Sequence, residues 1–406
     1  MKSTHIIVIG GGAAGFFTAI NCPTSPDITV TLLEKSSKLL SKVRVSGGGR
    51  CNVTHACFDN NLLIKNYPRG EKELRNTFSR FSTSDTINWF KEKGVELKTE
   101  ADGRMFPITD NSETIINCLM REAEKNKVTI KLNVSIEEII KNEDGTFTLN
   151  ANGGGSFTCN KLVIATGGNA KEEAYNWLKK LRHSISKPVP SLFTFNIPNN
   201  DITKLMGVAV PHVKVKIAST KLETEGPLMI THWGMSGPAV LKASAWGARL
   251  LNEMNYNFTA FLSWLPMYTE EKAKIEFNNQ REENPAKIIF NSCPFELPKR
   301  LWEHLVLRAG ILETTRWADL PKKSANLLAH FLINDEYKIE GKTTFKEEFV
   351  TCGGILLKEI DLSTMESKVL PGLYFAGEVI DIDGVTGGFN FQNAWSNAWI
   401  VANNII

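Results

Sequence analysis

The sequence has no C-x-x-C pair. Its seven cysteines, at 22, 51, 57, 118, 159, 293 and 352, are an odd number scattered over 406 residues, which suits neither a disulfide framework nor a zinc ribbon. No metal site is read. Nor is there an apolar run approaching the roughly 20 residues of a membrane span. The opening Met1-Lys2-Ser3-Thr4 passes straight into a strand-like His5-Ile6-Ile7-Val8-Ile9, without the regions of a secretion signal. A cytoplasmic location and no membrane partner are expected. Charge of one sign is scarce too: 47 Lys plus Arg against 44 Asp plus Glu leave a formal charge of +3, and no DNA partner is read from so small an excess. Repeats and low-complexity tracts are missing. With 42% hydrophobic and 22% charged residues, what remains is an ordinary globular chain with room for two or three domains.

The first pattern present is a βαβ unit. His5 to Ile9 reads as a buried strand, Gly10-Gly11-Gly12 as a tight turn, Ala13 to Ile20 as a small-residue helix, and Ile28 to Leu33 as a second strand. Gly10-x-Gly12-x-x-Gly15 lies between strand and helix, and Glu34 ends the next strand 19 positions after Gly15. These are the parts of a dinucleotide fingerprint in order. One glycine permits the turn, one lets backbone approach a pyrophosphate, and one lets helix and strand pack closely, while the helix N-terminus favours the phosphate charge. Glu34 accepts from ribose hydroxyls.

The fingerprint does not separate FAD from NAD. Leu162-Val163-Ile164-Ala165-Thr166-Gly167-Gly168 and Leu373-Tyr374-Phe375-Ala376-Gly377-Glu378 are each readable as a buried strand ending in a glycine turn. They also resemble the strand crossing and the second FAD motif of two-dinucleotide flavoproteins, with Glu378 where Asp is commoner. Three such segments in this order favour FAD. Between them, Ser46 to Gly49 offers amides unobstructed by side chains, and Lys35, Lys38, Lys42, Arg44 and Arg50 surround it with Glu34 as the single acid of residues 34 to 50. That cluster is either a positive rim for phosphates of FAD, NAD(P)H or RNA, or a solvated face. Gly384, Gly387 and Gly388 lead through Phe389-Asn390 into a closing helix, read from Ala394 to Ile405, whose entry amides are expected to face the flavin's pyrimidine end. Asp381 and Asp383 precede it as site acids or as loop solvators.

Helices are expected at about Ser84 to Lys93 and Ser112 to Lys125, and strands at Val128 to Leu132, Ser135 to Ile140, Thr146 to Asn150 and Ser156 to Thr166. Past Pro190 the chain turns to short β-like runs up to about Leu262, then to a helical pattern. It returns to βα character after about Lys346. The expected class is α/β, with residues 1–189 and 346–406 forming a dinucleotide domain. Inserted into it are a β domain (190–262 and 335–345) and a helical domain (263–334). Trp233, Trp246 and Trp264 read as core, and Cys352 as packing.

Arg44-Val45-Ser46-Gly47-Gly48-Gly49-Arg50-Cys51-Asn52, Thr231-His232-Trp233-Gly234-Met235-Ser236-Gly237-Pro238, Thr351-Cys352-Gly353-Gly354 and the run from Gly377 to Asn390 together resemble the BaiN/RdsA family of FAD-dependent oxidoreductases, over nearly the whole chain. The resemblance implies a Rossmann-like FAD-binding domain of the glutathione-reductase type, interrupted by a β-barrel and a helical domain. It implies cofactor contacts at Gly10, Gly12, Ala13, Ala14, Gly15, Glu34, Lys35, Ser46, Gly48, Gly49, Arg50, Cys51, Asn52, Val134, Thr166, Gly167, Gly377, Glu378, Asp383, Gly387, Gly388, Phe389 and Asn390. Members are assigned C=C reductions of a ribosomal RNA uridine or of a steroid dienone, and one branch an amine oxidation.

Reducing a C=C bond needs a hydride from the flavin and a proton from a positioned acid. Cys51, beside Arg50 in a glycine loop, and His232, among polar and glycine residues of the insert, are the candidates. Three functions compete: a reductase of a uracil C5–C6 or comparable conjugated bond, in ribosomal RNA or a small molecule; an amine oxidase; and a non-catalytic RNA-binding flavoprotein. A second G-x-G-x-x-G is missing, so NADH or NADPH is expected either to dock transiently as electron donor or to be replaced by another donor. Oligomeric state is not legible.

Overall fold

A computed structural model describes residues 3–343 and 350–406. The chain divides into two compact units, Met1–Pro190 with Phe345–Ile406, and Ser191–Thr344. The first boundary lies beside the expected change at 189–190. The expected return at 345–346 lies outside the described residues.

The first unit is built on a mainly parallel sheet. Its strands are β1 (Thr4–Ile9), β2 (Ile28–Leu33), β3 (Thr129–Lys131), β4 (Lys161–Ile164) and β5 (Leu373–Phe375), in the spatial order β5-β4-β1-β2-β3. Val8 stands between Val163 and Leu32. Two short antiparallel strands, Ile360–Asp361 and Glu366–Ser367, extend the β5 edge. Ile6, Ile7, Val8, Leu162, Val163 and Ile164 are wholly buried, as strands covered on both faces require. One cover is α1 (Ala13–Asn21), reached directly from β1; another is the last helix, α2 (Phe389–Ala402). Phe17 of α1 meets Trp395 of α2 at 5.1 Å between ring centroids. Because β1 sends the chain toward β2 on one side and pairs with β4 on the other, its carboxyl end is the switch point where such sheets bind ligands.

Expected and observed elements differ in two places here. The run from Ser156 to Thr166 is two strands: Ser156–Cys159 belongs to a separate antiparallel sheet with Ile136–Lys141 and Phe147–Ala151, and β4 starts after Asn160. Asn160 breaks the run because its N–H donates to the His5 carbonyl and its Oδ1 accepts from His5 N–H. The closing helix begins five residues earlier than read, since Gly388 at φ +98° caps it and Phe389 is buried.

The second unit holds a seven-stranded antiparallel sheet. Its order is Asp335–Glu340, Asn257–Ser263, Ala209–Ile217, Glu223–Thr231, Gly234–Ser236, Thr194–Asn196, Lys342–Thr343. The two outermost strands are consecutive in the chain and separated by Gly341 alone, so the sheet curls until its edges lie side by side. Pro238–Trp246 and Ala248–Glu253 are helices inside the stretch read as β-like, because Pro238 opens a helix at its first position. The three helices Glu270–Glu283, Lys299–Arg308 and Lys322–Ile333 share one apolar core with the sheet, through Trp264, Trp302, Trp317, Leu332 and Tyr337. Trp264 is core as expected, whereas Trp246 is 43% exposed at the end of its helix. Among the described residues no helix is long and apolar enough to cross a membrane.

Candidate cofactor site

The three fingerprint glycines answer to three different demands. Gly10 has φ +117°, and a Cβ there would stand 2.3 Å from the Ala165 carbonyl oxygen of the neighbouring strand end. A Cβ on Gly15 would stand 1.8 Å from the Gly10 carbonyl oxygen, so only glycine lets α1 leave β1 at this angle. Gly12 is different. It caps α1 with an ordinary φ of −91°, and a Cβ there would meet no protein atom within 4 Å. Nothing in the protein requires Gly12, and its open position leaves the helix N-terminus free for a bound group to approach.

Glu34 secures this turn: its Oε2 accepts from Gly11 N–H at 2.7 Å, and its Oε1 from the N–H and hydroxyl of Ser36 at 2.9 and 2.8 Å. A cleft of about 220 Å³ opens beside it, lined by Glu34, Lys35, Val134, Thr166, Gly167 and Trp177 among others. Gly167, at φ +74°, has open space where a Cβ would be. The second and third segments close on the same point. A Cβ on Gly168 would touch Thr351 Oγ1 and Glu378 Oε1, and one on Gly377 would lie 2.7 Å from Ala14 Cβ. Gly377 N–H donates to Asn397 Oδ1 at 2.8 Å. Glu378 is held by Lys42 at 2.6 Å and by Thr351 N–H at 2.7 Å.

A helical turn from Ser41 breaks at Ser46, and Gly47, Gly48 and Gly49 follow at φ +58°, +69° and +84°. A Cβ on Gly47 would run into Phe106, but Gly48 and Gly49 face open space. Asn52, nearly buried, bridges this loop to α2, since its Oδ1 accepts from Gly388 N–H at 3.0 Å and its Nδ2 donates to the Thr54 carbonyl. FAD thus fits an observed set of positions: the N-terminus of α1 with its open Gly12, the open Gly48 and Gly49 of the glycine loop, and the cleft lined by the open Gly167.

Several of the expected site side chains are engaged within the protein. Cys51 is fully buried, at φ +62°, and burial pushes its thiol up to about 12, offset only in part by Ser46. Its side chain is therefore closed off from solvent within the loop. Arg50 is not a phosphate rim: it donates to Glu100 at 2.6 Å, lies 3.5 Å from Asp110 and covers the Phe106 ring at 4.0 Å. Hydrogen bonding to Glu100 raises its pKa further. Arg44 pairs with Glu113 and Lys42 with Glu378, while Lys35 and Lys38 stand exposed. Asp383 is buried and ion-paired with Arg69, and the Asn390 amide is turned inward on both atoms of the Gly384 backbone. Neither side chain points to a ligand.

His232 lies in the other unit, exposed between strands Glu223–Thr231 and Gly234–Ser236, with its ring edge-on to Trp233. The sequence reading passed over His55. Its ring stacks on Phe389 at 4.7 Å and 19°, and its Nε2 is 3.1 Å from the Asp102 carbonyl. It also missed the buried polar stripe Gln392, Asn393, Ser396 and Asn397 of α2. Spacing of i, i+1, i+4 and i+5 in an otherwise apolar helix is the signal that marks such a stripe.

The model of the HI0933-like protein Rossmann domain matches residues 4–404. The chain belongs to the HI0933-like family. It is an FAD-dependent oxidoreductase. Full-length relatives of this HI0933-like chain include the ribosomal RNA dihydrouridine synthase of Escherichia coli K12, 31% identical over 100% of this chain and 99% of the relative. Another is the 3-dehydro-bile acid delta(4,6)-reductase of Clostridium scindens, 27% identical over 98% and 97%. Among solved structures, 3-ketosteroid-delta4-(5alpha)-dehydrogenase from Rhodococcus jostii RHA1 shares the fold, with a TM-score of 0.50 and 12% identity over 99% of this chain and 98% of the other.

Proposed function

We propose that this protein reduces the C5–C6 bond of a uracil in ribosomal RNA, with NADH or NADPH as the source of electrons. The observation that carries the substrate is the end-to-end similarity to a ribosomal RNA dihydrouridine synthase at 31% identity. Bound FAD supplies the hydride from its reduced ring. The residues proposed to hold it are Gly12 with the first amides of α1 at the pyrophosphate, Glu34 at the ribose, Lys35, Val134, Thr166 and Gly167 along the cleft, Gly48 and Gly49 at the glycine loop, and Gly387 and Gly388 at the entry to α2. Ala13, Ala14, Gly377 and Glu378 shape this cradle.

Hydride added at C6 leaves an enolate conjugated with the C4 carbonyl, and a proton at C5 completes the dihydrouridine. With Cys51 buried, His232 is the proposed donor, since of the two candidates it alone presents a side chain to solvent. A cytoplasmic protein with an RNA substrate follows from this reading. The second reading, saturation of a conjugated steroid-like enone, is favoured by the similarity to the bile-acid reductase. Nucleoside mass spectrometry of ribosomal RNA from cells lacking the protein separates them. Loss of one dihydrouridine is expected, and an unchanged dihydrouridine content rejects the first reading.

A further inference from the structure

The turn that opens α2 is gripped from outside by four residues of a distant segment, 66–70. The Asn66 carbonyl accepts from Val385 N–H at 2.9 Å. Tyr67, wholly buried, donates its hydroxyl to the Phe389 carbonyl at 2.7 Å. Arg69 donates from Nε to Asp383 Oδ1 at 2.5 Å and from Nη2 to Oδ2, while the backbones of the two residues form an antiparallel bridge. The next residue, Gly70, packs so close to Ile382 that a Cβ would stand 2.6 Å from its side chain. Asn390 ties the same turn from within by bonding both the N–H and the carbonyl of Gly384.

This arrangement places a full negative charge in the interior. Asp383 has no exposure, and the Arg69 side chain retains 14%. A two-pronged guanidinium-carboxylate pair is both strong and directional; it is neutral as a whole, and in a site of low dielectric loss of either partner leaves a charge felt across several ångströms. Gly387 and Gly388, four and five residues on, are the positions proposed to face the flavin. Reduction of flavin adds negative charge at its pyrimidine end. An unbalanced Asp383 therefore opposes reduction, and an unbalanced Arg69 favours it.

We propose that Arg69 and Asp383 form a positioning pair that fixes the Gly384–Gly388 turn, in which Arg69 cancels the buried Asp383 charge that would otherwise oppose reduction of FAD. The inference rests on the reading that this turn faces the flavin. Neither residue touches the cofactor; both act through the turn.

The test is the midpoint potential of the holoprotein, measured on FAD-loaded samples. In Arg69→Gln the preference for reduced FAD is expected to fall about tenfold, equivalent to about 30 mV lower for a two-electron couple. Asp383→Asn is expected to shift it the opposite way by a similar factor. The double variant Arg69→Gln/Asp383→Asn, which removes both charges, is expected to return within about threefold of wild type, or about 14 mV. A pair that merely holds the fold lowers the melting temperature of both single variants and gives no opposed signs. Unchanged potentials in the single variants at full FAD loading overturn the proposal, as do shifts of the same sign. Where Arg69→Gln fails to fold, Asp383→Asn and the double variant decide it: a rise in the first without return in the second rejects it. Failure of the underlying reading shows separately, as flavin retained with wild-type affinity when Gly387 is changed to Val.

Discussion

In the first glycine cluster, a side chain at Gly10 or Gly15 would collide with the backbone and one at Gly12 would not; in the second, Gly47 is crowded by Phe106 while Gly48 and Gly49 face open space. The clusters also differ in backbone. Gly12 sits at an ordinary φ, whereas all three glycines of the second loop have positive φ. Glycine is thus required by crowding at 10, 15 and 47 and by left-handed backbone at 48 and 49, whereas nothing in the protein requires it at 12. A glycine motif read from sequence merges these demands, and substitution separates them.

The largest effect is expected at Gly15. Gly15→Val drives Cβ into the Gly10 carbonyl and is expected to cost more than about 4 kcal/mol, the range of severe core disruption, which thermal unfolding or loss of folded protein on expression reads directly. Gly12→Val sharpens the contrast. It is expected to keep its melting temperature within a few degrees of wild type and to weaken FAD binding about a hundredfold, or roughly 2.7 kcal/mol, measured by flavin titration of apoprotein. An unfolded Gly12→Val, or one that binds FAD normally, breaks the distinction. Gly48→Ala is intermediate in kind: its Cβ has room, but left-handed backbone costs a non-glycine residue about 1–2 kcal/mol, visible in denaturant unfolding of the apoprotein. The smallest effect is expected at Cys51, the residue next to this loop. Cys51→Ala is expected to retain FAD and to form product within about threefold of wild type in single-turnover reactions, against the hundredfold or more that loss of a general acid produces. A hundredfold loss returns the thiol to the chemistry.

What the sequence made legible was local. Strand, glycine turn, helix and Glu34 lie within one stretch of chain, and each has a chemical signature of its own. The change of character at Pro190 was equally readable from the loss of βα pattern. What was not legible depends on partners far away in the chain. Arg50 looked like a free cation because Glu100 and Asp110, which engage it, are 50 and 60 residues distant. Asp383 resembled a site acid because Arg69 stands 314 positions earlier. Cys51 seemed accessible because glycines surround it in sequence, although burial is decided by what packs on the loop. Asn160 hid a strand break in an unbroken β-like run, its reason being a bond to His5, 155 residues before it. Side-chain roles thus fail where element types succeed, since a helix or strand is a property of a segment and an ion pair is a property of a fold.

The way α2 closes the first unit has a consequence for the order in which the protein is made. Residues 4–164 supply four of the five parallel strands, yet β5, the Gly377 turn and the Trp395 that covers Phe17 arrive only after the insert has been synthesised. At bacterial and eukaryotic elongation rates of about 5–20 residues per second, that delay is roughly ten to forty-five seconds. During it the insert has its whole core in hand, while the half-built sheet carries one bare edge and an uncovered aromatic face. The nascent chain is therefore most vulnerable to strand-edge association while its middle is already folding.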